Sequence, residues 1–179
     1  MSTFSILTVC TANICRSPTM EILLRQRLDP SRFTVASAGV FGWDDAPVDG
    51  MVVLELARLG ASAEGFSSRS IDEDMVREAD LVLTATRDHR AYLLDRLPDA
   101  LRRTFTLREF AALVSDVDAS SPRDLVEHAY RHRSAAQDDP DLDDPYRQPP
   151  AVHRAVVDQI REAVEVIADR LTAAAVVTM

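Results

Sequence analysis

Cys10 and Arg16 are the residues of this sequence best suited to do chemistry. They are set in the stretch Val9-Cys10-Thr11-Ala12-Asn13-Ile14-Cys15-Arg16-Ser17-Pro18. A Cys-x5-Arg spacing lets a short loop turn one thiolate and one guanidinium toward the same tetrahedral anion. A free thiol has a pKa of about 8.5, and a helix N-terminus beside an Arg converts it into the reactive thiolate. Arg16 brings a planar fork that grips two oxygens of a phosphate at once, which a Lys ammonium does not do. Backbone N–H groups from Thr11 through Ser17 are available to cradle the remaining oxygens. The Ser17 hydroxyl stands where it can donate to the Cys10 sulfur.

The elements around this loop are the ones needed to aim it. Phe4 to Val9 is a short, β-rich apolar run, as a buried parallel strand requires. Behind the loop, Ser17 is expected as an N-cap and Pro18 at the first helical position, opening a helix through Met20-Glu21-Ile22-Leu23-Leu24 to Leu28. A strand, a tight loop and a helix in that order direct amide groups and a positive helix end at an anion. A second strand follows over Arg32–Gly39, then a loop over Val40–Asp49 that holds Trp43. A helix over Gly50–Leu59 stops at Gly60, and a short helical piece spans Asp72–Glu78. Further strands are expected at Asp80–Ala85 and Arg103–Leu107, with helices over Arg87–Leu97, Arg108–Leu113 and Pro150 to about Ala174. The last of these places Val152, Val156, Ile160, Val164 and Ile167 on one stripe. The alternation predicts an α/β fold: a four-stranded parallel sheet flanked by helices on both faces. Its ligand would sit beyond the C-terminal strand ends, where the Cys10 loop falls.

Composition narrows the rest. At 179 residues the chain reads as one domain. No apolar run reaches the length of a membrane span, and the N-terminus lacks the basic start and apolar stretch of a secretory signal, so a cytoplasmic protein is expected. The net charge of −9 argues against a nucleic-acid partner. Cys10 and Cys15 are not a disulfide framework, and no other Cys or His joins them at metal-ligand spacing. The four His (His89, His128, His132 and His153) are scattered and read as surface residues. Residues 115–141 exceed what the alternation needs. Within them Ser121-Pro122 starts a helix running to about His132, and beyond it the five Asp from Asp138 to Asp144 read mostly as a solvated acidic loop.

Taken together, the chain resembles the low-molecular-weight protein tyrosine phosphatases over nearly its whole length. Cys10 to Pro18 is similar to that family's phosphate loop, Ser37-Ala38-Gly39 to its second-strand terminus, and Ala79 to Thr84 to its third strand. Asp144-Pro145-Tyr146 is similar to its Asp-Pro loop. The resemblance implies that Cys10 attacks phosphorus to form a cysteinyl-phosphate while Arg16 and the loop amides hold the equatorial oxygens. It implies that Asp144 is the acid toward the leaving group and then the base toward water. Thr11, Ala12, Asn13, Ile14, Cys15 and Ser17 would form the substrate loop, Asn13 holding its shape with support from Ser37. Trp43 and Tyr146 would wall an aryl ring. The implied partner is a phosphotyrosine protein, with neither metal nor cofactor. Cys15 is open to two readings, a reversible disulfide with Cys10 or a filler behind the loop.

Three departures stand out. Ala12 replaces the loop's usual Gly, which costs on the order of 1 kcal/mol if the position needs positive φ. Phe66-Ser67-Ser68-Arg69 lacks a His common before the Arg. Arg147 stands where Gly is common. Competing expectations on the same fold are an arsenate reductase, weakened by the absence of a resolving Cys pair beyond Cys15, and an arginine phosphatase, disfavoured because related arginine phosphatases carry Thr at the position of Ile14. A phosphate-recognising module without catalysis is the remaining alternative.

Overall fold

A computed structural model describes residues 3–135 and 141–176 of the chain. The expected residues Gln137 to Pro140 of the acidic loop, Asp138 and Asp139 among them, lie outside the described residues.

Four strands, β1 (Phe4–Cys10), β2 (Phe33–Gly39), β3 (Leu81–Thr84) and β4 (Thr104–Thr106), form one parallel sheet in the order β2-β1-β3-β4. β1 runs one residue further than the apolar run suggested, because Cys10 is still in register with Gly39. The helices are α1 (Arg16–Arg27), α2 (Gly50–Arg58), α3 (Glu73–Glu78), α4 (Arg87–Arg96), α5 (Leu107–Val114), α6 (Pro122–Arg131) and α7 (Pro150–Val176). A 3₁₀ turn over Pro98–Arg103 follows α4. It begins where Pro98 has no N–H to continue that helix.

Strand periodicity divides the core in two. Phe4, Ile6 and Cys10 of β1 face a cluster built with α1, α2, α5, α6 and α7. Leu7 and Val9 face a smaller cluster with Val76 of α3, Leu93 of α4 and Leu97. Both faces of β1 are therefore covered, which is why the strand reads as continuously apolar. Val156, Ile160, Val164, Ile167 and Leu171 of α7 are all buried, while Val152 is only half-buried. Each such apolar side chain contributes roughly 1.5–3 kcal/mol on burial, far more than its helix propensity does.

α6 falls within the segment that the alternation does not need. Ser121 caps it, its hydroxyl accepting from Asp124 N–H at 3.1 Å. Leu125, Val126 and Ala129 sink into the larger cluster, so this helix extends the core rather than lying on the surface.

α1 departs from expectation at its start. It begins at Arg16, with Cys15 in the N-cap position and no side chain capping it. Ser17 is not the cap, because its hydroxyl is turned back toward β1.

Candidate active site

The sheet order reverses between β1 and β3, and the loop Thr11–Cys15 leaves the C-terminal end of β1 at that point. Its carbonyls are tied outward. Val40, Phe41, Trp43 and Asp49 donate their N–H groups to the carbonyls of Cys10, Thr11, Ala12 and Ile14 at 2.9, 2.9, 3.3 and 2.9 Å. The amides of Ala12, Asn13, Ile14 and Cys15 have no acceptor among the described residues. Carbonyls turned out and amides left open, beside an uncapped helix start, make an anion cradle.

Gly39 allows this close approach. A Cβ there would stand 2.6 Å from the Thr11 carbonyl oxygen and 2.9 Å from Asn13 N. The left-handed turn falls at Asn13, with φ of 58°, and not at Ala12. Ala12 therefore does not pay the penalty that a positive φ would have imposed. Asn tolerates that conformation better than most residues, and its side chain is fully used. Nδ2 donates to Ser17 Oγ at 2.9 Å and to Ser37 Oγ at 2.8 Å, while Oδ1 accepts from Arg69 N–H at 2.9 Å. The Ser37 hydroxyl donates onward to the buried Glu21 carboxylate, which is paired with Arg25 at 2.8 Å. Arg69 also donates from Nε to Ser37 O at 2.9 Å. Arg69, which follows the stretch where a His was noted as missing, thus holds the loop through its backbone and β2 through its side chain.

Ser17 Oγ accepts from Asn13, and its own proton is within reach of the Cys10 sulfur at 3.0 Å and, at a longer 3.4 Å, of Ala38 O. Asn13, Ser17 and Ser37 were expected at or behind the loop. The structure places all three side chains behind it, fully buried, so only the backbone of Asn13 and Ser17 is open to a ligand.

A cleft of about 190 Å³ opens on the loop. Buried Cys10, Cys15 and Arg16 lie at its base, and Thr11, Ala12 and Ile14 line it. Asp144, Trp43 and Tyr146 stand at its mouth. Trp43 and Tyr146 meet edge to face, with centroids 5.7 Å apart. Phe41, 66% exposed, is a third aromatic on the rim. It was missed in the sequence because a lone Phe in a loop has no periodicity to flag it. A larger surface cleft of about 400 Å³, beside α1 and residues 60–66, is lined by neither Cys and shares no residue with this one.

The Arg16 guanidinium is buried at the base. Nη1 donates to Leu142 O at 3.1 Å, Nη2 donates to Thr11 Oγ1 at 3.3 Å, and Nη2 pairs with Asp144 Oδ2 at 3.2 Å. Of the described acids in the acidic loop, Asp144 is the one whose carboxylate reaches Arg16. Asp141 instead accepts from the Arg87 N–H at 2.8 Å, pinning the loop to the start of α4. Arg147 adopts φ of 60°, a strained setting for a residue other than Gly. Its guanidinium lies 5.0 Å over the Tyr146 ring.

Two further groups are perturbed. Burial, followed by the negative charges of Asp49, Cys10 and Asp144, pushes the Cys15 thiol above the ordinary thiol range. Burial and the Arg16 charge push the His89 imidazole down to about 4. His89 and His153, read from the sequence as surface residues, are both buried. His128 and His132, one turn apart at the end of α6, stack on each other at 4.1 Å. Among the described residues no group of three or more His, Cys, Asp or Glu is placed to hold a metal ion.

The sequence model of the low molecular weight phosphotyrosine protein phosphatase family matches residues 5–133. The chain belongs to that family. Among relatives, the low molecular weight protein-tyrosine-phosphatase Etp of Escherichia coli K12 is 36% identical over 127 residues, covering 70% of this chain and 84% of its own. A protein-arginine-phosphatase of Geobacillus stearothermophilus is 30% identical over 168 residues, covering 94% and 96%. Among solved structures, the tyrosine phosphatase Wzb of Escherichia coli K30 in complex with sulphate aligns with a TM-score of 0.73. It is 25% identical and covers 95% of this chain and 99% of its own. This phosphatase thus shares its parallel sheet and helical layers with family members named as tyrosine phosphatases and as arginine phosphatases.

Proposed function

We propose that the protein hydrolyses phosphotyrosine, an aryl phosphate monoester, on protein substrates through a cysteinyl-phosphate intermediate. The observation that carries this reading is the convergence of Cys10, Arg16 and Asp144 on one aromatic-rimmed cleft. In the first step the Cys10 thiolate attacks phosphorus in line. The bond from phosphorus to the phenolic oxygen breaks, and the proton of Asp144 goes to the leaving phenolate. The Arg16 fork and the open amides of the loop hold the equatorial oxygens as charge builds on them. In the second step Asp144 takes a proton from water as that water attacks phosphorus. The P–S bond breaks, Cys10 returns as thiolate and phosphate departs. Trp43, Tyr146 and Phe41 flank the ring, offering it edge and face contacts.

The long match to the Geobacillus arginine phosphatase supports a second reading, removal of phosphate from arginine. Ile14 weighs against it. Its buried side chain has no hydroxyl to meet a phosphoguanidinium, and it adds apolar surface beside an aryl group. We take residues 1–179 as one phosphatase domain in which 115–141 is an elaboration, and infer a cytoplasmic location. Both cysteines are free, which fits a reducing compartment, and no helix among the described residues is long and apolar enough to cross a membrane.

The test is turnover of phenyl phosphate, phosphotyrosine peptide, phosphoarginine and arsenate by wild type and Cys10→Ser. Aryl phosphate turnover in the wild type and none in the variant is expected. A folded wild type inactive on aryl phosphate overturns the reading, and a preference for phosphoarginine installs the second.

A further inference from the structure

We propose that His89 is a positioning residue for the phosphatase reaction: it fixes the Thr11 hydroxyl so that Thr11 presents a lone pair to Arg16 and sets the plane of the phosphate-gripping guanidinium. The proposal rests on the reading of Arg16 as the phosphate clamp.

The argument is one of donors and acceptors. Thr11 Oγ1 lies 3.3 Å from Arg16 Nη2 and 2.9 Å from His89 Nε2. Arginine only donates, so Thr11 must accept from it. The Thr11 hydroxyl proton and second lone pair are both available to His89 Nε2, so Thr11 donates to the ring when Nε2 is bare and accepts from it when Nε2 carries the hydrogen. Nδ1 in turn is hydrogen-bonded to Thr86 Oγ1 at 2.8 Å. Thr86 is held because it caps α4, taking the His89 N–H at 3.2 Å. In either tautomer the ring stays hydrogen-bonded to Thr11 and Thr86, and Thr11 keeps a lone pair on Arg16.

The surroundings keep it neutral. His89 as a residue is 7% exposed. Arg16 of α1 faces it, with Asp144 and Asp141 of the acid loop and Asp88 of its own helix as the opposing charges. A second proton on the ring would set a second cation beside Arg16.

The first turn of α4 thereby holds both halves of the site. His89 takes the phosphate loop through Thr11, and the Arg87 N–H takes the acid loop through Asp141 at 2.8 Å. Nothing in the local sequence signals this, since His89 lies 78 residues from Thr11 in the chain.

A double-mutant cycle with conservative rescue tests it. Phenyl phosphate kcat/KM and calorimetric binding of inorganic phosphate are measured for wild type, Thr11→Ser, Thr11→Val, His89→Gln, His89→Ala and Thr11→Val/His89→Ala. Loss of a hydrogen bond serving a charged group predicts about a tenfold fall in both quantities for Thr11→Val and His89→Ala. Thr11→Ser keeps the hydroxyl, and His89→Gln offers an acceptor at a similar reach, so both are expected within about threefold of wild type. The double variant is expected to be no worse than Thr11→Val alone. Multiplying losses in the double variant, a His89→Ala equal to wild type, or a His89→Gln as poor as His89→Ala overturns the proposal. Should His89→Ala fail to fold, His89→Asn, polar but too short to reach Thr11, takes its place under the same criteria. Phosphate binding separates the two levels of inference. A wild type without aryl phosphate turnover sinks the phosphatase reading, while the phosphate affinities of the series still decide the role of His89.

Discussion

Asp144 bears two relationships that its acidic neighbours do not. Its Oδ2 lies 3.2 Å from Arg16 Nη2, and its Oδ1 accepts from the Tyr146 N–H at 3.2 Å, which orients the carboxylate on the Asp-Pro turn. Asp143, one residue away, is exposed and lines no part of the cleft. Asp144→Ala is therefore expected to slow turnover of phenyl phosphate by roughly 10²–10³-fold, the range for loss of a general acid. The loss should shrink for a nitrophenyl ester, whose leaving group needs less protonation. Asp143→Ala should stay within about threefold on both esters. Steady-state kinetics on the two esters checks this, and equal losses in the two variants would move the acid elsewhere. At this scale much of the site was legible. Cys10 and Arg16 declare themselves by short spacing, and Asp144 by the Pro145-Tyr146 that follows it. Thr11–His89 and Phe41 were not legible, because a contact made through the sheet leaves no mark in local spacing. The expected burden on Ala12 fell on Asn13, since the sequence alone does not say which loop residue takes the positive φ.

Among the elements, β2 matters to the site through its end. Gly39 is paired with Cys10 and packs against the loop backbone with no room for a side chain. The obstacle is backbone, which cannot swing aside as a side chain would. Gly39→Ala is expected to push Thr11 and Asn13 out of place, destabilising the fold by about 2–4 kcal/mol and abolishing most turnover. Chemical denaturation with parallel assay of aryl phosphate hydrolysis measures both. Gly50→Ala is the control, since a Cβ there meets nothing within 4 Å, and it is expected to leave activity unchanged. The strand–loop–helix order was readable from apolar runs and turn residues, whereas the ends of the elements were not. Ser17-Pro18 looked like a helix start, yet α1 begins at Arg16, because the Ser17 hydroxyl is drawn away to Cys10 by contacts that the local sequence does not show. The same physics explains α6. Its cap at Ser121 was visible locally, but its burial through Leu125 and Ala129 depended on a core that only the assembled sheet creates.

For the molecule as a whole, the site's buried groups connect chemistry to stability across the pH range. The folded state holds His89 neutral, with its pKa lowered to about 4 from 6.5. Between those values the unfolded chain binds the extra proton, so stability falls as the solution is acidified from pH 6.5 toward 4. The loss reaches about 3 kcal/mol at the lower end. Cys15 acts at the other limb. Its thiol is raised above the ordinary 9.0 by burial, so the folded state keeps a proton that the unfolded state releases. Stability from this group is complete below about pH 9 and declines as pH rises beyond it. Urea denaturation at intervals from pH 4 to 10.5 is expected to give a plateau between the two limbs. His89→Gln should flatten the acid limb while leaving the alkaline one, and Cys15→Ala should do the reverse. Acid limbs of equal slope in wild type and His89→Gln would show that other groups carry the acid sensitivity.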